Sequence, residues 1–440
     1  MTEHVEPVQP DASYLRAVAA ATERAVDTAE PIRSDFTGAD KALCAEVERW
    51  VDGHAEDLVA LSRDLHAQPE EAFAEHRSVA RAADLVRCHG YDVEVGVGGL
   101  DTALRVGVGG GGPHVAVLAE YDALPGIGHG CGHNIICSAA VGGFLAAATA
   151  VTITGGRVSL FGTPAEEGGG GKEHLARAGL FDDVDVVVML HPFSHDIATH
   201  PFLGRRQVEV VFHGVAAHAA AQPFMGRNAL DAVVATYQGV AAMRQHMPST
   251  DRVHGIITDG GKRPNVVPDR AAALFYVRSA EPGSLQDLAA RIEAIARGAA
   301  SMTGCGVELT WDDNPAYLPI RHNDALAARW AQHQARRGRT ALPRGVVPEY
   351  LTGSTDLGNL SYRLPAIHPM IGLGEPSLSL HTEEFAAAAG SPAGDRAVLD
   401  GAVGLALTTV DYLADADLRD AVRAEFEAAG GPLDVATYFD

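Results

Sequence analysis

The chain has 440 residues, more than one ordinary hydrophobic core organises, which argues for two domains. It is 47% hydrophobic and 21% charged, the balance of a soluble globular protein. With 34 basic against 57 acidic residues the formal net charge is −23, which disfavours nucleic acid and anionic membrane as partners.

Residues 1–38 are polar and acidic, without the apolar run of a signal peptide, and read as a loosely ordered or docking arm. From Lys41 to Cys88, Leu43, Val47, Trp50, Val51, Leu58, Leu61 and Leu65 recur at helical spacing. Strand-like runs follow at Tyr91–Val97, Thr102–Val108 and His114–Ala119. The glycines of 107–112 satisfy G-x-G-x-x-G, but Pro113 and a strand come next where a dinucleotide fingerprint needs a helix. A hairpin turn is expected there instead. Ile135–Val151 is apolar but short of the ~20 residues of a membrane span, and reads as a buried helix. Arg157–Phe161 is a strand leading to Glu166-Glu167. The next glycines and Lys172 fail the phosphate-loop pattern, because glutamates stand at 166 and 173. Val184–Leu190 reads as a strand buried on both faces, ending at His191.

The segment 206–313 has a different rhythm. Strands at Gln207–His213, Val253–Asp259, Arg270–Arg278 and Val307–Asp312 alternate with helices at Asn228–His246 and Leu285–Met302. The order β-α-β-β-α-β is that of a ferredoxin-like α+β unit. The expected architecture is therefore an α/β domain made of 39–205 and 314–440, interrupted by a smaller domain at 206–313. The returning chain supplies a helix (Asp324–Arg337), a Gly353-Ser354-Thr355-Asp356 loop, a strand (Ala366–Ile371), Leu380-His381-Thr382 and a final helix near Asp395–Ala414. The five cysteines, at 44, 88, 131, 137 and 305, show no disulfide spacing and suit a reducing cytoplasm.

The chemistry gathers at strand ends, where α/β sheets build their sites. Asp122, Glu166, Glu167 and His191 lie there, and Cys131 and His133 sit in the loop after the first strand. A thiolate, imidazoles and carboxylates suit a divalent metal, and a glutamate pair can both hold metal and move a proton. Each residue also has a plainer reading. Acidic pairs are usually solvated, lone cysteines are usually inert and buried, and isolated histidines are usually structural. Arg278 reads equally as a surface ion pair, Asn265 as a turn residue, and Ser354 or Thr355 as a helix cap.

Several segments taken together resemble the M20 family of metal-dependent amidohydrolases and peptidases. They are Ala119–Pro125, Gly130–Asn134, Gly162–Glu167, His213–Ala220, Arg227–Ala232 and Ser354–Asn359. The resemblance spans about residues 41–415. It points to the branch of N-acyl amino acid amidohydrolases, aminobenzoyl-glutamate hydrolases and M20 domain-containing dipeptidases. It implies a metallo-hydrolase catalytic domain with a mixed, mainly parallel sheet flanked by helices, plus an inserted lid and dimerisation domain. Two divalent ions are implied, held by Cys131, His133, Glu167, His191 and His381, with Cys131 standing where other branches use a bridging aspartate. Zinc suits the thiolate best, and manganese or cobalt fit the other ligands. Glu166 matches the general base, and Asp122 the aspartate that orients a ligating histidine. Glu120 stands where several branches carry a metal-binding histidine. His218 matches a residue that crosses a homodimer interface to stabilise the oxyanion. Asn265, Arg278 and Ser354 match positions that hold or line a small amide substrate with a free carboxylate. The resemblance implies cleavage of an N-acyl amino acid or related conjugate. A dipeptidase or carboxypeptidase of the same family, and a non-catalytic ligand-binding dimer, are the competing readings.

Overall fold

The computed structural model describes residues 6–439 and begins with four helices: α1 (Ser13–Thr28), α2 (Lys41–Gly53), α3 (Ala55–Ala67) and α4 (His76–Cys88). Leu43, Val47, Val51, Leu58, Leu61 and Leu65 are buried, the face that the helical spacing marks. The expected loose arm is a correction in part. Residues 1–5 lie outside the described residues, but 13–28 form a helix. Val26 and Ala29 pack on a small apolar cluster containing Phe193, Ile197, Phe202 and Leu342.

The chain then lays down β1 (Glu94–Val95), β2 (Leu104–Gly109), β3 (His114–Ala119), α5 (His133–Thr154), β4 (Arg157–Gly162), α6 (Gly171–Arg177), β5 (Val186–Val188) and β6 (His191–Phe193). Next comes the smaller unit: β7 (Gly204–His213), α7 (Ala229–Met243), β8 (Arg252–Asp259), β9 (Arg270–Ser279), α8 (Pro282–Thr303) and β10 (Gly306–Trp311). The chain returns through α9 (Asp324–Arg336), α10 (Leu357–Ser361), β11 (Ala366–Ile367), β12 (Met370–Gly372), α11 (Glu383–Ala389), α12 (Pro392–Ala414) and α13 (Ala416–Ala428). The expected helices end with α12, so α13 is an addition.

The main sheet has the order β1-β2-β4-β3-β5-β11. Its β3, β4, β5 and β11 pairings are parallel, and β1–β2 and β2–β4 are antiparallel. This corrects the expected hairpin at 107–112. β4 sits between β2 and β3, so the glycine-rich segment carries the chain past a strand position. All six residues of β3 are buried, and such a strand needs a neighbour on each edge and cover on both faces. The cover includes α5 and α12. Both are long and apolar enough to cross a membrane by composition, but 89% and 83% of their apolar windows are buried in protein.

Two expected strands are broken in the structure. The 184–190 run yields β5, and β6 then pairs with β12 in a separate two-stranded ribbon. The 366–371 run splits into β11 and β12 at His368-Pro369, where proline removes a ladder donor. The smaller unit is a four-stranded antiparallel sheet in the order β10-β7-β9-β8, the ferredoxin-like arrangement, with α7 and α8 on one face. Val208, Val210, Phe212, Phe275, Val277 and Ile292 form its separate core.

Candidate metal centre and active site

β3 ends at Ala119 and delivers Glu120, Tyr121 and Asp122 into the interior, all buried. The loop beyond closes on Gly132 at φ 75°, which caps the start of α5. A Cβ there would also come within 2.9 Å of the Pro192 ring, so only glycine lets Cys131 and His133 turn together toward His191. Cys131 Sγ lies 3.4 Å from His191 Nε2.

One carboxylate organises both sides of the site. Asp122 Oδ1 is 3.1 Å from His133 Nδ1, and Asp122 Oδ2 accepts the backbone N–H of Glu167 at 2.9 Å. This directs His133 Nε2 toward the other carboxylates, 3.6 Å from Glu120 Oε2 and 3.9 Å from Glu166 Oε2. His191 donates Nδ1–H to the Pro192 carbonyl at 2.6 Å, which fixes its tautomer and directs Nε2 at the thiol.

The Glu166-Glu167 loop is shaped by a backbone distortion. Ala165 has φ 58°, a left-handed conformation unusual for a residue with a Cβ. Its N–H donates to Glu75 Oε1 at 2.8 Å, and Glu75 Oε2 accepts from Thr102 Oγ1 at 2.7 Å. The Tyr317 hydroxyl donates to the Glu166 carbonyl at 2.8 Å. His381, at φ 63°, is half-exposed and brings Nε2 to 3.4 Å from Glu167 Oε1.

Four triads have their ligand atoms within 4.8 Å of one another: Cys131/His133/His191, Cys131/Glu167/His381, His133/Glu166/Glu167 and Glu120/Glu166/Asp356. Cys131, His133, Glu166 and Glu167 each belong to two of them, so the triads form one continuous cluster. Glu120 Oε2, His133 Nε2 and Glu167 Oε1 are buried without a hydrogen bond among the described residues, atoms that a cation would satisfy. The five expected ligands therefore fit a pair of divalent ions.

The fourth triad already holds a cation. Lys172, fully buried on α6, donates to Glu120 Oε1 and to Asp356 Oδ1, the latter at 2.6 Å. Its backbone N–H also donates to Asp356 Oδ2 at 2.9 Å. Sequence reasoning used Lys172 only to reject a phosphate loop, and neither Lys172 nor Glu75 carries a local pattern that could have found it.

The electrostatics follow from this crowding. Burial, then Glu120, Glu167 and Asp356, hold the Glu166 carboxyl well above the usual carboxylate range. Burial and then the Glu167 charge push the Cys131 thiol up. A coordinating thiol gives up its proton to a soft divalent ion, so metal and proton compete for that sulfur. Burial would depress His133, but Asp122, Cys131 and Glu120 together carry it well above its ordinary value. The same negative field favours a metal cation at Nε2. Burial and then His133 lower His191 to about 3, keeping it in the neutral form a ligand needs.

The expected substrate residues separate into two groups. Arg278 Nη1 donates to Ser354 Oγ at 3.1 Å, beside the loop that supplies Asp356. His218 and Asn265 lie elsewhere, on an exposed tip of the smaller unit. His218 Nδ1 accepts from Ala220 N and Ala221 N, His218 bridges Val266, and the Asn265 carbonyl accepts from Ala219 N. Arg205, which sequence reasoning passes over, stacks 4.2 Å from the Tyr317 ring centre.

Residues 203–301 match the peptidase dimerisation domain of the M20 type. The chain is 38% identical over 391 residues to the Xaa-Arg dipeptidase of Mus musculus, covering 86% of this chain and 90% of the relative. It is 31% identical over 467 residues to a p-aminobenzoyl-glutamate hydrolase polypeptide of Escherichia coli K12, covering 88% and 94%. Among solved structures, the aminobenzoyl-glutamate utilization protein of Klebsiella pneumoniae superposes with a TM-score of 0.65 at 22% identity, over 84% of this chain and 98% of that one. A dinuclear metal-binding M20 peptidase of Bacillus subtilis superposes at 0.59 and 19%, over 80% and 98%. These two share the fold, and the sequence relatives carry the kinship: the chain belongs to the M20 family of metal-dependent amidohydrolases and peptidases.

Proposed function

We propose that the protein hydrolyses the amide bond of an N-acyl amino acid or related amino-acid conjugate, using two divalent ions held by Cys131, His133, Glu167, His191 and His381. The observation that carries this reading is the convergence of those five side chains around Glu166, with Cys131 common to two ligand triads. When bound, the ions polarise the amide carbonyl and acidify the attacking water. Glu166 takes the proton from that water and passes it to the leaving nitrogen. Asp122 holds His133 and the Glu167 backbone in register for the ligand set. Arg278 and Ser354 receive the substrate's free carboxylate from the lid side. Zinc is proposed first because one ligand is a thiolate, and manganese or cobalt are the alternatives. A dipeptidase activity is the second reading, supported by the relatives of that name in Mus musculus and Homo sapiens, 38% and 36% identical.

The working unit is a homodimer formed through the 206–313 lid domain, with the 39–205 and 314–440 segments as the catalytic domain. The dimerisation-domain match at 203–301 supports this. So does edge strand β8, whose Ile256 and Ile257 are 62% and 43% exposed. His218 then serves the partner's site, stabilising the oxyanion there. The N-terminal arm docks through the end of α1, where Val26 and Ala29 pack on the Phe193 cluster. A thiolate ligand and five free cysteines suit the cytoplasm.

Elemental analysis paired with amino-acid release from a mixed panel tests the reading. The panel holds N-acyl amino acids, aminobenzoyl-glutamate and dipeptides, each with and without chelator. About two metals per chain and chelator-sensitive release are expected. No metal after reconstitution under reducing conditions would overturn the Cys131-centred site.

A further inference from the structure

Lys172 carries a fully buried ammonium that the proposed reaction does not use. It reaches its place because α6 starts in close contact with the catalytic loop. Gly170 precedes the helix at φ 70°, and Gly171 packs so tightly that an added Cβ would lie 1.8 Å from the Pro164 carbonyl oxygen. The next side chain, Lys172, therefore meets Glu120, directly after β3, and Asp356, directly before α10.

Both oxygens of Asp356 are taken. Oδ1 accepts from Lys172 Nζ at 2.6 Å and Oδ2 from the Lys172 backbone N–H at 2.9 Å. Glu120 gives Oε1 to the same ammonium. Its Oε2 is buried without a partner among the described residues, 3.6 Å from His133 Nε2. The cluster thus has a capacity to bind a cation that the ammonium does not exhaust.

Glu120, Asp356 and Glu166 bring one oxygen each within 4.8 Å of one another, the spacing of an ion site. The other three triads include nitrogen or sulfur. This one is built of oxygen alone and suits a hard divalent ion such as manganese or magnesium. It shares Glu166 with a neighbouring triad, so a divalent ion there would draw the general base into coordination. Burial would lower the Lys172 ammonium, but Asp356, Glu120 and Glu166 outweigh it and raise it above its ordinary value. The lysine is held by the same three carboxylates that would hold an ion.

We propose that Lys172 is a tethered cation filling a third ion site. It keeps Glu120 and Asp356 out of the metal shell, limits the protein to two divalent ions and leaves Glu166 an uncoordinated base. This rests on the two-ion reading above and concerns a residue to which that reading gives no role. A lysine that only offsets buried charge would change stability and not the number of ions bound.

The test counts ions. Protein reconstituted with zinc is given excess manganese, desalted and analysed for both elements. The wild type is expected to hold about two ions in total. Lys172→Ala empties the ammonium position and is expected to hold about one manganese ion more, visible by electron paramagnetic resonance. Adding Glu120→Gln and Asp356→Asn to that variant is expected to abolish the extra ion. An unchanged count in folded Lys172→Ala protein, or a third ion in the wild type, overturns the inference and leaves the two-ion reading standing. Glu120→Gln with Lys172 intact tests the same claim without emptying the buried position, and decides it if Lys172→Ala does not fold. That variant is expected to keep the wild-type count. Loss of an ion would make Glu120 a metal ligand and overturn the inference. A reconstituted wild type without metal overturns the two-ion reading and this inference with it.

Discussion

Glu166 has a carboxyl group buried among three other carboxylates, Glu120, Glu167 and Asp356, and its backbone carbonyl is pinned by Tyr317. Glu166→Gln keeps the shape and removes the proton acceptor. Turnover should fall by ~10²–10⁴ while metal content stays at the wild-type level. Near-normal turnover in the metal-loaded variant would remove Glu166 from the mechanism. Lys172 gives a different prediction. Lys172→Met removes the ammonium that the buried Glu120 and Asp356 carboxylates share, so chemical denaturation should show a loss of about 3–5 kcal/mol. Adding Glu120→Gln should recover part of it, and no recovery would mean that packing sets the cost. Cys131, His133, Glu166, Glu167 and His191 were legible because each is close in sequence to a strand end, where local pattern and chemistry coincide. Lys172 was not. Its meaning depends on Glu120, 52 residues away, and on Asp356, 184 residues away, and no local spacing encodes either contact.

Two glycines show how element geometry sets the sign of a substitution. Gly171 opens α6 with its Cα against the preceding loop, and an added Cβ would lie 1.8 Å from the Pro164 carbonyl oxygen. Gly171→Ala must shift the helix start, and Lys172 with it, at a cost of about 1–3 kcal/mol. Gly298 sits inside α8, where, beyond its own helix turn, an added methyl group would meet no heavy atom of the described residues within 4 Å, so Gly298→Ala feels only the helix preference. It should gain about 0.5–1 kcal/mol. Thermal melts of the two variants should move in opposite directions, and a shared direction would contradict the packing described for one of them. Elements of this kind were readable wherever one period ruled a segment. The alternation in β7 and the helical spacing in α2 and α3 sufficed. Strand order was not readable at 107–112, because the insertion of β4 between β2 and β3 is a pairing choice made about 50 residues downstream of the turn's start. Nor did the apolar run at 366–371 announce its split at Pro369.

At the scale of the whole molecule, distant stretches are tied by Asp411 on α12. It accepts from Arg329 Nε at 2.7 Å and His333 Nε2 at 2.5 Å on α9, and from the Ala39 N–H at 2.8 Å. Burial would raise the Asp411 carboxyl, but His333 and Arg329 outweigh it and hold it below its ordinary 3.8. A depressed folded-state value means that this stabilisation is present above the unfolded value and is lost as pH falls through the folded one. Stability should therefore decline below about pH 4, and Asp411→Asn should flatten that part of the profile. A variant with the wild-type slope would place acid sensitivity elsewhere. The dimer supplies the last argument. His218 is exposed and its Nδ1 is engaged by its own turn, so within one chain it belongs to the lid surface and not to the ligand cluster. In the two-fold dimer proposed above, each site would take Glu166 from one protomer and His218 from the other. His218→Ala and Glu166→Gln proteins, each inactive alone, then form heterodimers with one doubly damaged site and one intact site. An equal, fully exchanged mixture should regain about a quarter of the wild-type sites. Recovery at that level requires a shared site. No recovery, with heterodimers verified by mass, would confine each active site to a single chain.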